Sequence, residues 1–377
     1  MLIRAIACLS LTLLVTACAS RKTYPSVAQL PRVNDLPDPF VFTNGSRVQT
    51  KDDWTRRRAE LRELIMHYEY GELPPAPHNV KGVLIISHFP KRPAKIQHRQ
   101  YKVTCGPHDK LSFVVDLLLP PGDGPFPVIV RGDACWGLVK DEIADQVIAR
   151  GYALAQFNRC EFSPDLGTKN AGMFLAYPNR DFGAVAAWAW GIHRCIDFLE
   201  TLKEIDKAKI VVTGHSRGGK AALLAGALDE RIAITAPNGS GTGGCAPYRN
   251  PTAQAEKLSD ILRNFPGWFS PQLKQFVGHE DQLPFDQHEL IALVAPRAFL
   301  TTEGLGDQWA NPPQTYRSVE AARTVWDFLG AFNRTGIHYR PGKHEHGLED
   351  WKALLEFADK IFFNKPTTQP FDRPPTK

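Results

Sequence analysis

The sequence predicts one α/β domain, a mostly parallel sheet covered by helices on both faces in a three-layer αβα sandwich. Three observations carry this prediction. From Phe126 onward, short apolar runs alternate with longer stretches of helical spacing, the pattern of parallel strands joined by crossover helices. The run Ile210-Val-Val-Thr213 leads directly into Gly214-His-Ser216-Arg-Gly218 and then into an Ala- and Leu-rich helical stretch. The 377 residues, 43% apolar and 23% charged, are an ordinary globular mixture, enough chain for one such domain with insertions.

Taken in order, Thr50-Lys-Asp-Asp-Trp-Thr opens a helix with apolar Trp54, Leu61, Leu64, Ile65 and Tyr68, stopped by Gly71 and Pro74-Pro75. Three β-rich runs follow, Val80 to His88, Gln97 to Thr104 and Leu111 to Leu119; Pro120-Pro-Gly-Asp-Gly-Pro then turns the chain into a strand from Phe126 to Arg131. Strands are expected at Tyr152 to Asn158, Ile210 to Thr213, Ile232 to Pro237, Arg297 to Thr302 and Gly336 to Tyr339. Helices are expected at Phe182 to Leu202, Arg217 to Leu228, Ala321 to Gly330 and Trp351 to Phe362. The segment 239–295 is long for a single connection and reads as a helical insertion over the site. The catalytic domain is placed at 37–365, with 366–377 as a C-terminal tail.

The N-terminus reads as a targeting segment. Arg4 precedes an apolar run, Ala5 to Val15, that is too short to span a bilayer and fits a signal peptide over 1–17. Val15-Thr-Ala-Cys18 resembles a bacterial lipobox, so cleavage before Cys18 and lipidation of that cysteine are expected, with 18–36 as a tether. The alternative is an ordinary signal peptide cut near Ala17. Either way the protein is exported; lipidation would hold it to the outer membrane or in the periplasm through acyl chains alone. Ala19 and Ser20 after the cysteine favour the outer membrane. Past the anchor, Cys105, Cys135, Cys160, Cys195 and Cys245 allow a bridge, but their odd number leaves at least one thiol free. None has CxxC spacing, which argues against structural zinc.

A formal charge of +5 is spread along the chain, with no basic run interleaved with aromatics, so nucleic acid is not indicated. No repeat or long low-complexity segment is present, and a monomer is expected.

Gly214-His-Ser216-Arg-Gly218 is a G-x-S-x-G sequence in the context that a nucleophile elbow requires, after a strand and opening a helix. The glycines permit a tight turn that lifts the Ser216 hydroxyl above the sheet edge, as in an α/β-hydrolase fold. The helix start offers the Arg217 N–H to a developing oxyanion. A serine needs a base, expected after the last strand, where Gly342-Lys-His344-Glu-His346-Gly347 lies. His346, followed by glycine, is the chosen base, and His344 is the runner-up. His215 beside the nucleophile reads as packing or pocket wall. The acid that orients the imidazole is expected in Glu303-Gly-Leu-Gly-Asp307: Asp307 is chosen because four loop residues let it swing toward the histidine, and Glu303 at the strand end is the reserve. Acyl-enzyme chemistry of this kind needs no metal or organic cofactor.

Gly214-His-Ser-Arg-Gly-Gly-Lys220 resembles the G-C-S-R-x-G-K motif of carbohydrate esterase family 15, the glucuronoyl esterases, and the similarity extends along nearly the whole mature chain. Further ordered matches include Leu36-Pro-Asp-Pro-Phe40, Tyr68-x-Tyr-Gly71-x-x-Pro-Pro, Asp181-x-Gly-Ala-x-x-Ala-Trp-Ala-Trp-Gly191, Trp268-Phe-Ser and Leu283-Pro-Phe-Asp-x-His288. The resemblance implies hydrolysis of the ester between (4-O-methyl-)glucuronic acid on xylan and a lignin alcohol. It implies an oxyanion-stabilising role for Arg217 and substrate contacts for Lys220 and Trp309, with Glu256 a candidate. Fungal members carry the acid as Glu in a P-Q-E-S-G stretch. Here Pro237-Asn-Gly239-Ser-Gly has no carboxylate, and Asp307-Gln-Trp309 matches the acid-bearing loop of bacterial members. The fungal cysteine before the nucleophile is His215. Within the same chemistry, an acetyl-xylan or other polysaccharide esterase is the alternative; a serine peptidase of the same fold is a further one.

Overall fold

The computed structural model describes residues 23–91 and 95–374. The strands are β1 (Lys81–His88), β2 (Gln97–Cys105), β3 (Leu111–Leu119), β4 (Phe126–Arg131), β5 (Ala153–Phe157), β6 (Ile205–His215), β7 (Ile232–Asn238), β8 (Ala298–Gly304) and β9 (Thr335–Arg340). The α-helices are α1 (Lys51–Ile65), α2 (Asp141–Ala149), α3 (Met173–Ala176), α4 (Ala184–Leu199), α5 (Arg217–Leu228), α6 (Leu258–Asn264), α7 (Gln287–Ala292), α8 (Pro312–Leu329) and α9 (Leu348–Phe363).

The strands form one sheet in the order β1-β2-β3-β5-β4-β6-β7-β8-β9. β1, β2, β3 and β5 pair antiparallel, whereas β5, β4, β6, β7, β8 and β9 run parallel. Side chains of the central strands are shared between two cores. Val128, Val130, Ile210 and Val212 face the layer that contains α4, α5 and α8. Ile129, Leu154, Val211 and Ile234 face α2 and α9. Burying each such side chain contributes roughly 1.5–3 kcal/mol, and a register slip of one residue would exchange the two cores. This is the doubly covered parallel sheet expected from the sequence.

Several boundaries differ. Helix α8 starts at Pro312 instead of Ala321, because Pro312-Pro313 occupies the first turn, where a missing N–H costs nothing. Helix α2, absent from the sequence reading, covers the second face with Ile143, Ala144 and Val147. The insertion 239–295 is built of short pieces, α6, α7 and two 3-10 turns.

The described part of the expected tether is docked against the body. Tyr24 stacks on His67 at 3.7 Å, and the Pro25 carbonyl accepts from the Tyr68 hydroxyl at 2.7 Å. The Gln282 amide donates to the carbonyls of Val27 and Leu30. The tail docks too: Phe371 is buried against Phe357, and its carbonyl accepts from Ile337 N at 2.8 Å. The signal peptide and Cys18 lie outside the described residues. Among the described residues no helix is long and apolar enough to cross a membrane.

Candidate active site

The nucleophile elbow is built by close backbone approach. Ser216 links β6 to α5 at φ 56 and ψ −122, a conformation that ordinary residues avoid at a cost of roughly 1–3 kcal/mol. Its N–H donates to the Asn238 carbonyl at 2.9 Å. Both flanking glycines are required by packing. A Cβ on Gly214 would lie 2.3 Å from the Gly218 carbonyl oxygen, and one on Gly218 would lie 1.9 Å from Asp133 Oδ1. Asp133, fully buried after β4, accepts from His215 N at 2.8 Å and from the Arg159 guanidinium at 2.5 Å. The elbow thus rests on a buried Asp133–Arg159 ion pair that the sequence reading did not single out. The signal, visible only in hindsight, was the acid directly after the β4 run.

Asp307 is oriented by the turn that it caps. Its Oδ1 accepts from Ala310 N at 3.3 Å, while Oδ2 meets His344 Nδ1 at 2.5 Å. The histidine loop approaches because Gly304 and Gly306 have no side chains: a Cβ on Gly304 would lie 2.4 Å from the Lys343 carbonyl oxygen, and Gly306 N donates to the Gly342 carbonyl at 2.8 Å. Arg340 at the end of β9 then fixes the loop, donating to the carbonyls of Lys343 at 3.1 Å and Glu345 at 2.5 Å while its Nε binds Asp350 at 2.7 Å. This clamp turns His344 toward Asp307.

The structure therefore does not bring the expected base, His346, to the acid. His346 stacks on Trp351 with ring centroids 5.0 Å apart, and its Nδ1 is buried with no partner among the described residues. Burial first, then the neighbouring His215, holds it well below the usual imidazole range. The histidine that meets Asp307 is the runner-up, His344. Glu303, the reserve acid, is fully buried, accepts from the Thr301 hydroxyl at 2.9 Å and does not hydrogen-bond a histidine. Burial pushes its carboxyl up to about 8, which keeps it largely neutral. His215 hydrogen-bonds Asn238 Oδ1 through Nδ1 at 2.6 Å and is pushed down to about 4 by burial and by His344, so it stays uncharged. It forms wall, as expected.

Gly239 explains the missing fungal acid. This residue, at φ +49, sits where a Cβ would lie 3.6 Å from His344 Nδ1 and 3.7 Å from Asp307 Oδ2. A carboxylate from the β7 loop and one from the β8 loop would converge on the same imidazole, so one suffices.

Arg217 lies beside the nucleophile, its guanidinium 4.7 Å above Phe265, 4.6 Å above Trp268 and 5.7 Å from Trp136. It pairs with Asp165 at 2.5 Å, and its buried Nε–H has no acceptor among the described residues. Lys220 is not a solvated helix position. It is buried, and its ammonium donates to the carbonyls of Ser240 at 2.7 Å and Thr242 at 2.5 Å, with Glu256 at a longer 3.5 Å. Burial lowers its pKa, opposed by Glu256. Trp309, in the turn capped by Asp307, is half exposed, and its carbonyl accepts from Glu256 N at 3.1 Å. Cys105, Cys135, Cys160, Cys195 and Cys245 are unbridged; Cys135 and Cys160 hydrogen-bond each other through their thiols.

Comparison with known proteins fits this geometry. A family model described as glucuronyl esterase, fungi, matches residues 103–330. A 4-O-methyl-glucuronoyl methylesterase of Podospora anserina is 34% identical over 361 residues, covering 90% of this chain and 70% of that enzyme. A solved glucuronoyl esterase of carbohydrate esterase family 15 from Caldicellulosiruptor kristjansonii superposes with a TM-score of 0.81 at 33% identity, covering 93% of this chain and 96% of the other. A Sporotrichum thermophile glucuronoyl esterase variant, solved in complex with methyl 4-O-methyl-beta-D-glucopyranuronate, gives a TM-score of 0.76 at 28% identity, covering 94% and 95%. With an α/β-hydrolase sheet, a strained serine elbow and an acid–histidine pair after its last two strands, the chain belongs to the glucuronoyl esterase family, carbohydrate esterase family 15.

Proposed function

We propose that the protein is a serine esterase that cleaves the ester of a (4-O-methyl-)glucuronic acid carried on a xylan-type polysaccharide, through an acyl-enzyme intermediate. The observation that carries this reading is the Asp307–His344 hydrogen bond beside the strained Ser216 elbow, in a chain of this family. His344 takes the Ser216 proton as the hydroxyl attacks the ester carbonyl. Asp307 holds the imidazole with Nδ1 toward itself, leaving Nε2 for the reacting groups, and stabilises the imidazolium that forms. The Arg217 N–H at the start of α5 and the unpartnered Nε–H meet the charge that develops on the carbonyl oxygen. Collapse expels the alcohol, protonated by His344, and water then releases the uronate by the same steps in reverse.

Trp309 offers an exposed aromatic face to the sugar ring. Lys220 fixes the Ser240–Thr242 loop, and its long contact to Glu256 is the one that a sugar hydroxyl would take over. Export with a lipid anchor at Cys18, a single catalytic domain over 37–365 and a monomeric state belong to the same proposal; the N-terminal sequence supports the first and the single sheet the second.

The test is a side-by-side assay of methyl glucuronate ester, acetylated xylan and a peptide amide, with Ser216→Ala as control. The reading expects turnover of the glucuronate ester, abolished in the control. Preference for acetylated xylan would move the substrate, and preference for the amide would move the class.

A further inference from the structure

The loops that leave β4 and β5 meet at the Asp133–Arg159 pair that supports the nucleophile elbow. Asp133 and Asn158 form an isolated antiparallel bridge, and Arg159 N donates to the Gly132 carbonyl at 2.9 Å. Each loop then makes one 3-10 turn, Ala134–Trp136 in the first and Arg159–Glu161 in the second. Each turn carries one cysteine, Cys135 or Cys160, and the two thiols hydrogen-bond each other. Trp136, next to the first of them, has its ring 4.2 Å from the Arg159 guanidinium and 5.7 Å from that of Arg217.

Two further observations set this pair apart. Among the described residues, Cys105, Cys195 and Cys245 are buried, whereas Cys135 and Cys160 are both partly exposed. Burial pushes the thiols of Cys105 and Cys245 up to about 12, so neither offers a thiolate. The Cys160 thiol is held below its usual value by the hydrogen bond from Cys135, against burial and with help from the Arg159 guanidinium. An accessible thiol that ionises readily beside a second thiol is the arrangement that oxidises selectively.

We propose that Cys135 and Cys160 are a disulfide site, closed by thiol–disulfide exchange, that staples the β4 and β5 loops under the nucleophile elbow. The oxidant is a disulfide. The Cys160 thiolate attacks one of its sulfurs, expelling one thiol and leaving a mixed disulfide on Cys160. Cys135, once deprotonated, attacks Cys160 Sγ and expels the second thiol. The protein loses two electrons and two protons, and the oxidant leaves as two thiols. Thiols already in hydrogen-bond contact need only a small side-chain adjustment to reach the S–S bonding distance of about 2.05 Å. The closed bridge spans α2 and β5, so it restricts the unfolded chain, and it fixes Trp136 beside Arg217. It acts in the same way whichever ester the enzyme takes.

The experiment incubates the purified full chain with oxidised glutathione or with dithiothreitol, then alkylates free thiols and digests with trypsin. Cleavage after Arg131, Lys140, Arg159 and Lys169 puts Cys135 in peptide 132–140 and Cys160 in peptide 160–169. After oxidation, mass spectrometry should find these two peptides as one species that reduction splits. Tm of the oxidised wild type should exceed that of the reduced protein by roughly 3–8 °C. Cys135→Ser and Cys160→Ser should show the same Tm under both conditions. The peptide map and the wild-type Tm need no variant, so a substitution that fails to fold leaves the test intact. Separate or glutathione-capped peptides after oxidation, a bridge to another cysteine, or a linked species with the Tm of the reduced protein each overturns the proposal.

Discussion

In the proposed mechanism the nucleophile elbow and the histidine loop supply two halves of one proton relay, yet they are held by different means. The elbow is packed from beneath: Asp133 is fully buried, Arg159 is 1% exposed, and each glycine abuts backbone or carboxylate. The histidine loop is exposed from Pro341 to Glu345; Arg340 ties the carbonyls of Lys343 and Glu345 to the Asp350 carboxylate, and Gly306 N holds the Gly342 carbonyl. A packed turn leaves local marks, because only glycine fits where backbones touch. The histidine loop is set by Arg340, three to five residues away, and an arginine there does not mark which of two nearby histidines it aims. The comparison teaches that close packing writes glycines into the sequence around the serine, whereas the aim of the histidine loop is set by hydrogen bonds to carbonyls that any residue could offer.

That contrast can be broken or sharpened by substitution. The largest effect is expected at the acid. Asp307→Asn should lower turnover of the methyl glucuronate ester by roughly 10³- to 10⁴-fold, because the amide favours the wrong imidazole tautomer. Glu303→Gln should stay within about tenfold; equal losses would place the acid elsewhere.

Next come the two supports. Arg340→Lys keeps a charge for Asp350 but loses the two carbonyl bonds that aim His344, and kcat should fall about 10- to 100-fold through misplacement. Arg159→Met should act on stability instead. It leaves Asp133 buried without its cation, a defect costing about 3–5 kcal/mol, so Tm should drop by several degrees. If Arg340→Lys proves as destabilising as Arg159→Met, the two regions are held alike.

The smallest effect is a pH dependence. The Glu303 carboxyl is raised from 4.5 to about 8 by burial, so its contribution to stability is full below pH 4.5 and is lost as pH rises through 8. Glu303→Gln should match the wild type near pH 5 and exceed its Tm near pH 9. His215, lowered to about 4, works in the opposite sense: its contribution is present above pH 6.5 and lost as pH falls through 4. Equal Tm differences at pH 5 and pH 9 would mean that Glu303 ionises freely.

Much of this architecture was legible in the sequence. The strand–glycine–serine–glycine–helix order pointed to Ser216 and the spacing from the β8 run pointed to Asp307, because both sit in local turn patterns, although the Asp133–Arg159 pair beneath the elbow lies far off in sequence. The choice between His344 and His346 was not legible. Both follow the last strand, and only the Arg340 clamp decides which one turns toward the acid. The burial of Lys220 was not legible either. Its partners Ser240, Thr242 and Glu256 lie 20 to 36 residues away, so nothing nearby shows that it is buried. The docking of residues 24–33 and of Phe371 also depends on distant partners, and polar, Pro-containing composition alone suggests free chain.

The central claim is that Ser216, His344 and Asp307 form the relay, with His346 as a packed neighbour. It is tested most directly by measuring kcat of His344→Gln and His346→Gln on methyl glucuronate ester under identical conditions. The account predicts a loss of roughly 10³-fold or more for His344→Gln and less than about tenfold for His346→Gln. The reverse ranking would contradict it and move the base to His346.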